Sequence, residues 1–300
     1  MWYDTPENIP EYTRTEQKGM THPGELLKKN GLYAGKEMGQ NFLSNPATAQ
    51  MIVDRTGVSA ETQVLEIGPG LGALTLPLSR AAGRVTAVEK DRRLIPILEA
   101  ELAAEGVSNV TVVNRNILKT DIREIAGGSS LTVIGNLPYN ISSQILFQLV
   151  KARSVVDRAF LMFQKELAER LLASPGTRDF SRLSAVVQYA ARISHVADIR
   201  PNSFFPRPDV DSTVLRFDFF TTPDMDEEKE SLLFEVIKAA FSKRRKTLNN
   251  SMTGGDLGLK KPEAGQALVR AGIDPVRRAE TLTIEEFISL GRAVWDMQNE

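Results

Sequence analysis

Asn136-Leu137-Pro138-Tyr139 joins an amide, a rigid turn and an aromatic ring directly after an apolar run, residues 131–134, that reads as a buried strand. The Asn136 side chain carries a carbonyl acceptor, while Pro138 fixes its own φ and has no N–H to donate. Proline also pushes the residue before it out of helical geometry, which leaves the Leu137 carbonyl free to accept. Tyr139 adds a face on which a flat group can stack. Two acceptors beside a stacking face suit a planar ligand bearing an amine. The same tetrapeptide also serves as a plain strand-ending turn.

A second cluster lies upstream. Residues 64–72 read Val-Leu-Glu-Ile-Gly-Pro-Gly-Leu-Gly, a strand running into a glycine-rich turn and then a helix. Glycines such as Gly68 and Gly70 let the backbone approach a ligand closely, and the helix N-terminus offers free N–H groups. Glu89 ends the next strand, about 20 residues on, where an acid can take both hydroxyls of a ribose. The strict G-x-G-x-x-G pattern fails because Ala73 stands in the third glycine's place, although the looser form ending in Ala is met. A dinucleotide site is therefore the rival reading. Charge separates the two, because Glu66 just before the turn suits a cationic amino-acid ligand such as S-adenosylmethionine better than a pyrophosphate. Asn116, after the third strand, stands where a side-chain acceptor could read an adenine amine. Asn140 is expected to do no more than cap the helix that follows.

Placing these clusters on one edge requires alternating strands and helices. The pattern predicts strands at 63–67, 85–89, 110–113, 131–135, 159–163, 191–199 and 213–219. Helices are predicted at 48–56, 71–82, 91–105, 142–152, 165–173 and 183–190. This is an α/β fold, a Rossmann-like domain with a mostly parallel sheet covered on both faces. Beyond residues 221–224 the strand signals stop, and 227–241, 261–271 and 284–298 are periodic for helices. The expected organisation is an N-terminal arm over 1–35 with one short helix near 24–30, a main domain over 36–221 and a small all-helical domain over 222–300.

Composition narrows the chemistry. The absence of cysteine excludes disulfides, thiolate metal sites and a cysteine nucleophile. Two histidines, His22 and His195, leave little for a histidine-based metal centre or triad, so no metal is expected and His195 is read as structural. No apolar run approaches the roughly 20 residues of a membrane span, and the first residues lack the basic-then-apolar order of a signal peptide. A soluble, cytoplasmic, monomeric protein is expected. A net charge of −1 argues against indiscriminate coating of nucleic acid, but the field over a patch is what a partner meets. Lys238, Lys243, Arg244, Arg245 and Lys246 occur with no acid among them, and Arg192, Arg200 and Arg207 form a looser basic stretch. Such runs are often solvated faces.

Turns of the Asn-x-Pro-aromatic kind resemble the motif of enzymes that methylate exocyclic amines of nucleobases, and the rest of the chain sharpens the likeness. Gly39-Gln-Asn-Phe-Leu43, Glu66-Ile-Gly-Pro-Gly-Leu-Gly72 and Gly135-Asn-Leu-Pro-Tyr-Asn-Ile-Ser-Ser143 occur in that order. Phe163-Gln-Lys-Glu-Leu-Ala-Glu-Arg170, Ser181-Arg-Leu-Ser184, Phe204-Phe-Pro-Arg-Pro-Asp-Val-Asp-Ser212 and Arg244-Arg-Lys-Thr-Leu-Asn-Asn250 follow. Together, over residues 36–290, they closely resemble the KsgA (RsmA) type of ribosomal RNA adenine dimethyltransferase, in the wider group that includes the Erm resistance methyltransferases. The resemblance implies a methyltransferase domain with a helical C-terminal domain, S-adenosylmethionine as donor, and dimethylation of two adjacent adenosines near the 3′ end of 16S rRNA in the small ribosomal subunit. It implies that Asn41, Leu43, Glu66, Gly68, Gly70, Glu89, Asn116 and Asn136 line the donor pocket. Asn136 and the Leu137 carbonyl would hold the target amine, Tyr139 and Phe204 would sandwich the adenine, and Arg244, Arg245 and Lys246 would grip RNA phosphates.

The chain departs from that family's pattern in places. Asn116 replaces a usual Asp, which implies re-tuned donor binding. Met38 replaces a usual Phe, Arg207 interrupts a proline-rich stretch, and Phe205 sets a second ring beside Phe204. Three alternatives stand beside it: a close enzymatic one, an Erm-type enzyme acting on 23S rRNA; one from a different class, a catalytically silent RNA-binding assembly factor; and, more distant, a NAD-dependent oxidoreductase. The tail motifs Gly272-Ile-Asp-Pro275 and Arg278-Ala-Glu-Thr-Leu282 favour the small-subunit enzyme over the first.

Overall fold

The computed structural model describes residues 21–35, 39–220, 225–243 and 245–300. The chain begins with α1 (Pro23–Lys29), a short β1 (Phe42–Leu43) and α2 (Pro46–Thr56). Strands and helices then alternate through β2 (Gln63–Ile67), α3 (Thr75–Ala81), β3 (Arg84–Glu89), α4 (Ile95–Ala104), β4 (Val110–Asn114), α5 (Ile122–Ala126) and β5 (Leu131–Asn136). They continue as α6 (Ser142–Lys151), β6 (Val156–Gln164), α7 (Lys165–Leu172), α8 (Arg182–Ala190), β7 (Ala191–Ile199), β8 (Phe204–Phe205) and β9 (Ser212–Phe219). Four helices complete the chain: α9 (Glu227–Ala240), α10 (Leu248–Ser251), α11 (Lys261–Arg270) and α12 (Ile284–Asn299).

Seven strands form one sheet in the order β4-β3-β2-β5-β6-β9-β7. Those from β2 to β6 run parallel, and β9 runs antiparallel to both β6 and β7. The apolar strands are explained by burial on both faces. Val133, Leu161, Leu215 and Phe217 belong to one core cluster, while their neighbours Ile134, Phe160, Met162 and Val214 belong to another. Strand order reverses between β2 and β5, each paired to the other and extending to opposite sides, so a crevice opens beyond their C-terminal ends.

Two helices begin later than periodicity predicts. Gly70 and Gly72 hold φ of 58° and 91° in the left-handed region, so the turn extends to Leu74 and α3 starts at Thr75. After β3, the Asp91 carboxylate accepts from the Arg93 N–H and the Asp91 carbonyl from the Leu94 N–H, a turn that delays α4 to Ile95. The β1–β8 pair, Phe42 opposite Phe205 and Leu43 opposite Phe204, is too short to leave an alternation in the sequence. Nor is Asn140 a cap: Ile141 precedes α6 without a side-chain cap bond, and Ser142 Oγ donates instead to the Pro138 carbonyl.

The expected boundary between main and helical domains falls on residues 221–224, outside those described, as do most of the N-terminal arm and Met38. The larger core cluster runs from Phe217 and Tyr189 into Leu233, Val236, Phe287 and Leu290 of α9 and α12, so the helices and the sheet share one apolar interior. At that seam Arg153 pairs with Glu230, the two side chains only 10% and 14% exposed. Glu230 also accepts from the Tyr189 hydroxyl at 2.8 Å. Removing one partner of a buried pair strands the other charge. Glu230→Ala is therefore expected to destabilise the protein by about 3–5 kcal/mol in urea unfolding, and Arg153→Met added to it to recover most of that loss.

Candidate active site

The C-terminal ends of β2, β3, β4 and β5, together with the segment from Gly39 to Leu43, line an open cleft. Asn41, Leu43, Glu66, Gly68, Gly70, Glu89, Asn116, Asn136, Leu137 and Tyr139 all lie on its wall. The β1–β8 pair carries residues 39–43 over the glycine turn, and the fit is close. A Cβ on Gly70 would stand 3.0 Å from the Phe42 ring, in a backbone conformation that already favours glycine.

Two acids face this space. Glu66, at 1% exposure, has one carboxylate oxygen with no hydrogen-bond partner among the described residues. Burial pushes its pKa up to about 8, with the nearby Glu89 adding to the rise and the Thr75 hydroxyl opposing it. Glu89 is also raised, first by burial, although it accepts from the Gly70 N–H at 3.1 Å and the Asp91 N–H at 2.7 Å. Those bonds hold the carboxylate at the strand end. A buried carboxylate without a partner costs several kcal/mol unless a cation meets it. The donor set therefore fits a ligand such as S-adenosylmethionine, with positive charge near Glu66 and a diol near Glu89.

Asn116 caps a short 3₁₀ turn, its Oδ1 accepting from the Leu118 N–H at 3.1 Å. One lone pair of that oxygen remains for an adenine amine, and Nδ2 can only donate. An aspartate there would keep the cap and add a second acceptor.

Asn136 ends β5, and its Nδ2 donates to the Asn41 backbone carbonyl at 2.9 Å. A carbonyl only accepts, so this bond dictates which end of the amide faces away and leaves Oδ1 as the free acceptor. Next to it, the Pro138 carbonyl is taken by the Ile141 N–H and the Ser142 hydroxyl, whereas no donor among the described residues pairs with the Leu137 carbonyl. Two acceptors thus stand side by side at the strand end. Tyr139 is half-buried, and its hydroxyl shares a 2.9 Å hydrogen bond with Ser212 Oγ at the start of β9. Burial raises the Tyr139 pKa, so the phenol stays neutral.

Phe204 is not brought to the cleft. At 4% exposure it joins the apolar cluster of Leu43, Ile52, Ile134 and Phe160, because successive side chains of β8 point to opposite sides and Phe204 takes the inner one. The exposed ring is Phe205, 38% accessible, set edge-on to His22 at 5.4 Å. The expected sandwich therefore keeps only its Tyr139 wall in this structure. Arg245 and Lys246 are exposed between α9 and α10 and do not line the cleft, while Arg244 lies outside the described residues. His195 pairs with Asp198 at 3.1 Å on β7, away from the cleft. Two contributors escape the sequence reading, the Asn41 carbonyl and Ser212. Both lie inside quoted motifs, but nothing local marks their contacts. Among the described residues no cluster of His, Cys, Asp and Glu could hold a metal ion.

Comparison with known proteins bears on this geometry. The family described as ribosomal RNA adenine dimethylase matches residues 32–294. Ribosomal RNA small subunit methyltransferase A of Desulforapulum autotrophicum is 55% identical over 278 residues, covering 93% of this chain and 98% of that protein. The protein of the same name from Bacillus cereus is 39% identical over 277 residues, 90% of this chain and 94% of the other. Among solved structures, a dimethyladenosine transferase from Plasmodium falciparum superposes with a TM-score of 0.69 at 27% identity, over 83% of this chain and 95% of that one. The 23S rRNA methyltransferase ErmE shares the fold, with a TM-score of 0.62 at 24% identity over 85% and 99% of the two chains.

Two outcomes follow from the acids and from Asn116. In the free protein Glu66 keeps its proton between the ordinary carboxylate range and about pH 8, where the unfolded chain has lost it. Stability should therefore fall as pH rises through that window, by at most about 1.4 kcal/mol per unit. A cationic ligand favours the ionised form, so S-adenosylmethionine should bind more tightly as pH approaches 8 and release a proton. Calorimetry in buffers of different ionisation enthalpy reads that proton, and Glu66→Gln should abolish both slopes. Asn116→Asp should tighten donor binding by about tenfold, the worth of one added acceptor, and titration calorimetry at fixed pH measures it.

Proposed function

The chain belongs to the ribosomal RNA adenine dimethylase family, and we propose that its targets are the two adjacent adenosines of the 3′-terminal hairpin of 16S rRNA, in biogenesis of the small ribosomal subunit. It is an S-adenosylmethionine-dependent rRNA (adenine-N6)-dimethyltransferase. The near end-to-end match with small-subunit methyltransferases supports the choice of subunit. The observation that carries the site reading is the Asn136 amide, turned by the Asn41 carbonyl so that Oδ1 is left to accept.

An adenine amine is a poor nucleophile because its lone pair is delocalised into the ring. Hydrogen bonds from its two N–H groups to Asn136 Oδ1 and the Leu137 carbonyl favour a pyramidal nitrogen with the lone pair directed forward. When bound, S-adenosylmethionine supplies an already activated methyl group on its sulfonium, so positioning by this chain accounts for most of the acceleration. No strong base is required, because the proton leaves after the nitrogen has become cationic. Adenine inside a helix cannot enter the cleft and must be flipped out, and stacking on Tyr139 contributes roughly 1–3 kcal/mol to holding it. Glu66, Glu89, Asn116 and the glycine turn hold the donor, while Arg244, Arg245 and Lys246 grip RNA phosphates.

The protein acts as a monomer in the cytoplasm on this reading, and no helix among the described residues is long and apolar enough to cross a membrane. Radiolabelled S-adenosylmethionine incubated with small subunits lacking the modification tests it. Labelled dimethyladenosine is expected, falling at least about 100-fold in Asn136→Ala. Label that appears only on large-subunit RNA would overturn the choice of substrate, and label on neither would overturn the activity.

A further inference from the structure

The two methyl transfers place unequal demands on the site. In the first, the amine offers two N–H groups to the acceptors on Asn136 and Leu137. After it, one hydrogen has been replaced by carbon, and a single N–H remains to be held. The second transfer consequently depends more on whatever fixes the plane of the base. In this structure that is Tyr139, whose own orientation is set by its bond to Ser212.

Ser212 is well placed for such a role. It is fully buried at the first position of β9, opposite Gln164 of β6 and Ile199 of β7. Tyr139 lies in the turn after β5, 73 residues earlier in the chain. A ring in a turn has freedom that a strand residue lacks, and this bond ties it to three paired strands. The hydroxyl is thereby occupied, so the face of the ring is what the base meets. Phe204, the expected second wall, is turned into the core and does not back up a loose Tyr139.

We infer that Ser212 is a positioning residue for the second methyl transfer, holding Tyr139 so that monomethylated adenine is presented in line with one hydrogen bond in place of two. The inference rests on the dimethyltransferase reading above. In the step concerned, the nitrogen lone pair forms the new N–C bond, the methyl C–S pair stays on sulfur, and the last N–H proton leaves to solvent.

The test is a time course on small subunits lacking the modification, with mono- and dimethyladenosine quantified by mass spectrometry. Ser212→Ala should leave the first transfer within about threefold of the parent, slow the second by about tenfold, the worth of one hydrogen bond, and accumulate monomethyladenosine. Donor affinity should not change, and Ser212→Thr, which keeps the hydroxyl, should restore the product ratio. Tyr139→Phe removes the other half of the bond and should give the same ratio, with Ser212→Ala adding nothing in that background. It carries the test alone if Ser212→Ala fails to fold. ¹³C-tyrosine NMR of the free protein should show the Tyr139 Cζ resonance move in Ser212→Ala. Equal slowing of both transfers, or additive effects in the double variant, would overturn the inference. A parent protein that methylates neither subunit would instead point to failure of the activity reading.

Discussion

A side-chain amide has one accepting end and one donating end, and the target site depends on which way that of Asn136 faces. The Asn41 carbonyl decides it. Turned over, the amide would present N–H groups to an amine that is itself a donor, and the two would repel. The correct orientation is enforced from a segment that must cross the mouth of the sheet to reach it. That crossing is secured by the β1–β8 pair and by the bond from Gln40 to Asp91 at 3.1 Å. One segment thus closes the cleft and orients the Asn136 amide, so on the proposed reading the donor and target halves of the site are built together.

Much of this was legible because it is local. The glycine turn, the acids at strand ends and the proline turn each state their backbone geometry within a few residues. Strands buried on both faces read as unbroken apolar runs. Contacts across the chain were not legible. Asn41 and Asn136 lie 95 residues apart, and Tyr139 and Ser212 lie 73 apart, so no spacing rule links them. Phe204 and Phe205 show a subtler limit. Adjacent aromatics on a strand must face opposite sides, but only tertiary contact decides which turns inward. Here Leu43, Phe204's partner in register, lies in the same cluster and draws Phe204 into it.

The shared core bears on how a remote basic surface could serve this chemistry. A helical part joined by a flexible tether would let bound RNA drift relative to the cleft. Instead α9 and α12 continue the apolar cluster that includes β6 and β9, and the Arg153–Glu230 pair fixes the seam. Both features resist sliding, the first through close fit and the second through direction. On the proposed reading a flipped base must arrive with its nitrogen in line, so rigidity between the proposed phosphate grip and acceptor pair would be worth more than grip alone.

Burying Glu66 and Glu89 in one cleft looks wasteful, since desolvation raises the pKa of both, with Glu89 adding to the rise at Glu66 and Asp91 to that at Glu89. Below about pH 8 the free protein avoids the cost of a buried charge at Glu66 by keeping its proton, and a cationic ligand favours that proton's release. A carboxylate well hydrated in the free state would have to shed its water on binding and would gain less from the ligand's charge. Glu66 is held dry with an oxygen unpartnered, so the ligand meets an acceptor that is already desolvated. Glu89 differs, because two backbone N–H bonds fix its carboxylate in direction while each oxygen keeps a lone pair for a hydroxyl. The first acid thus answers to charge and the second to geometry, and that division suits a ligand cationic at one end with a ribose at the other better than it suits a pyrophosphate.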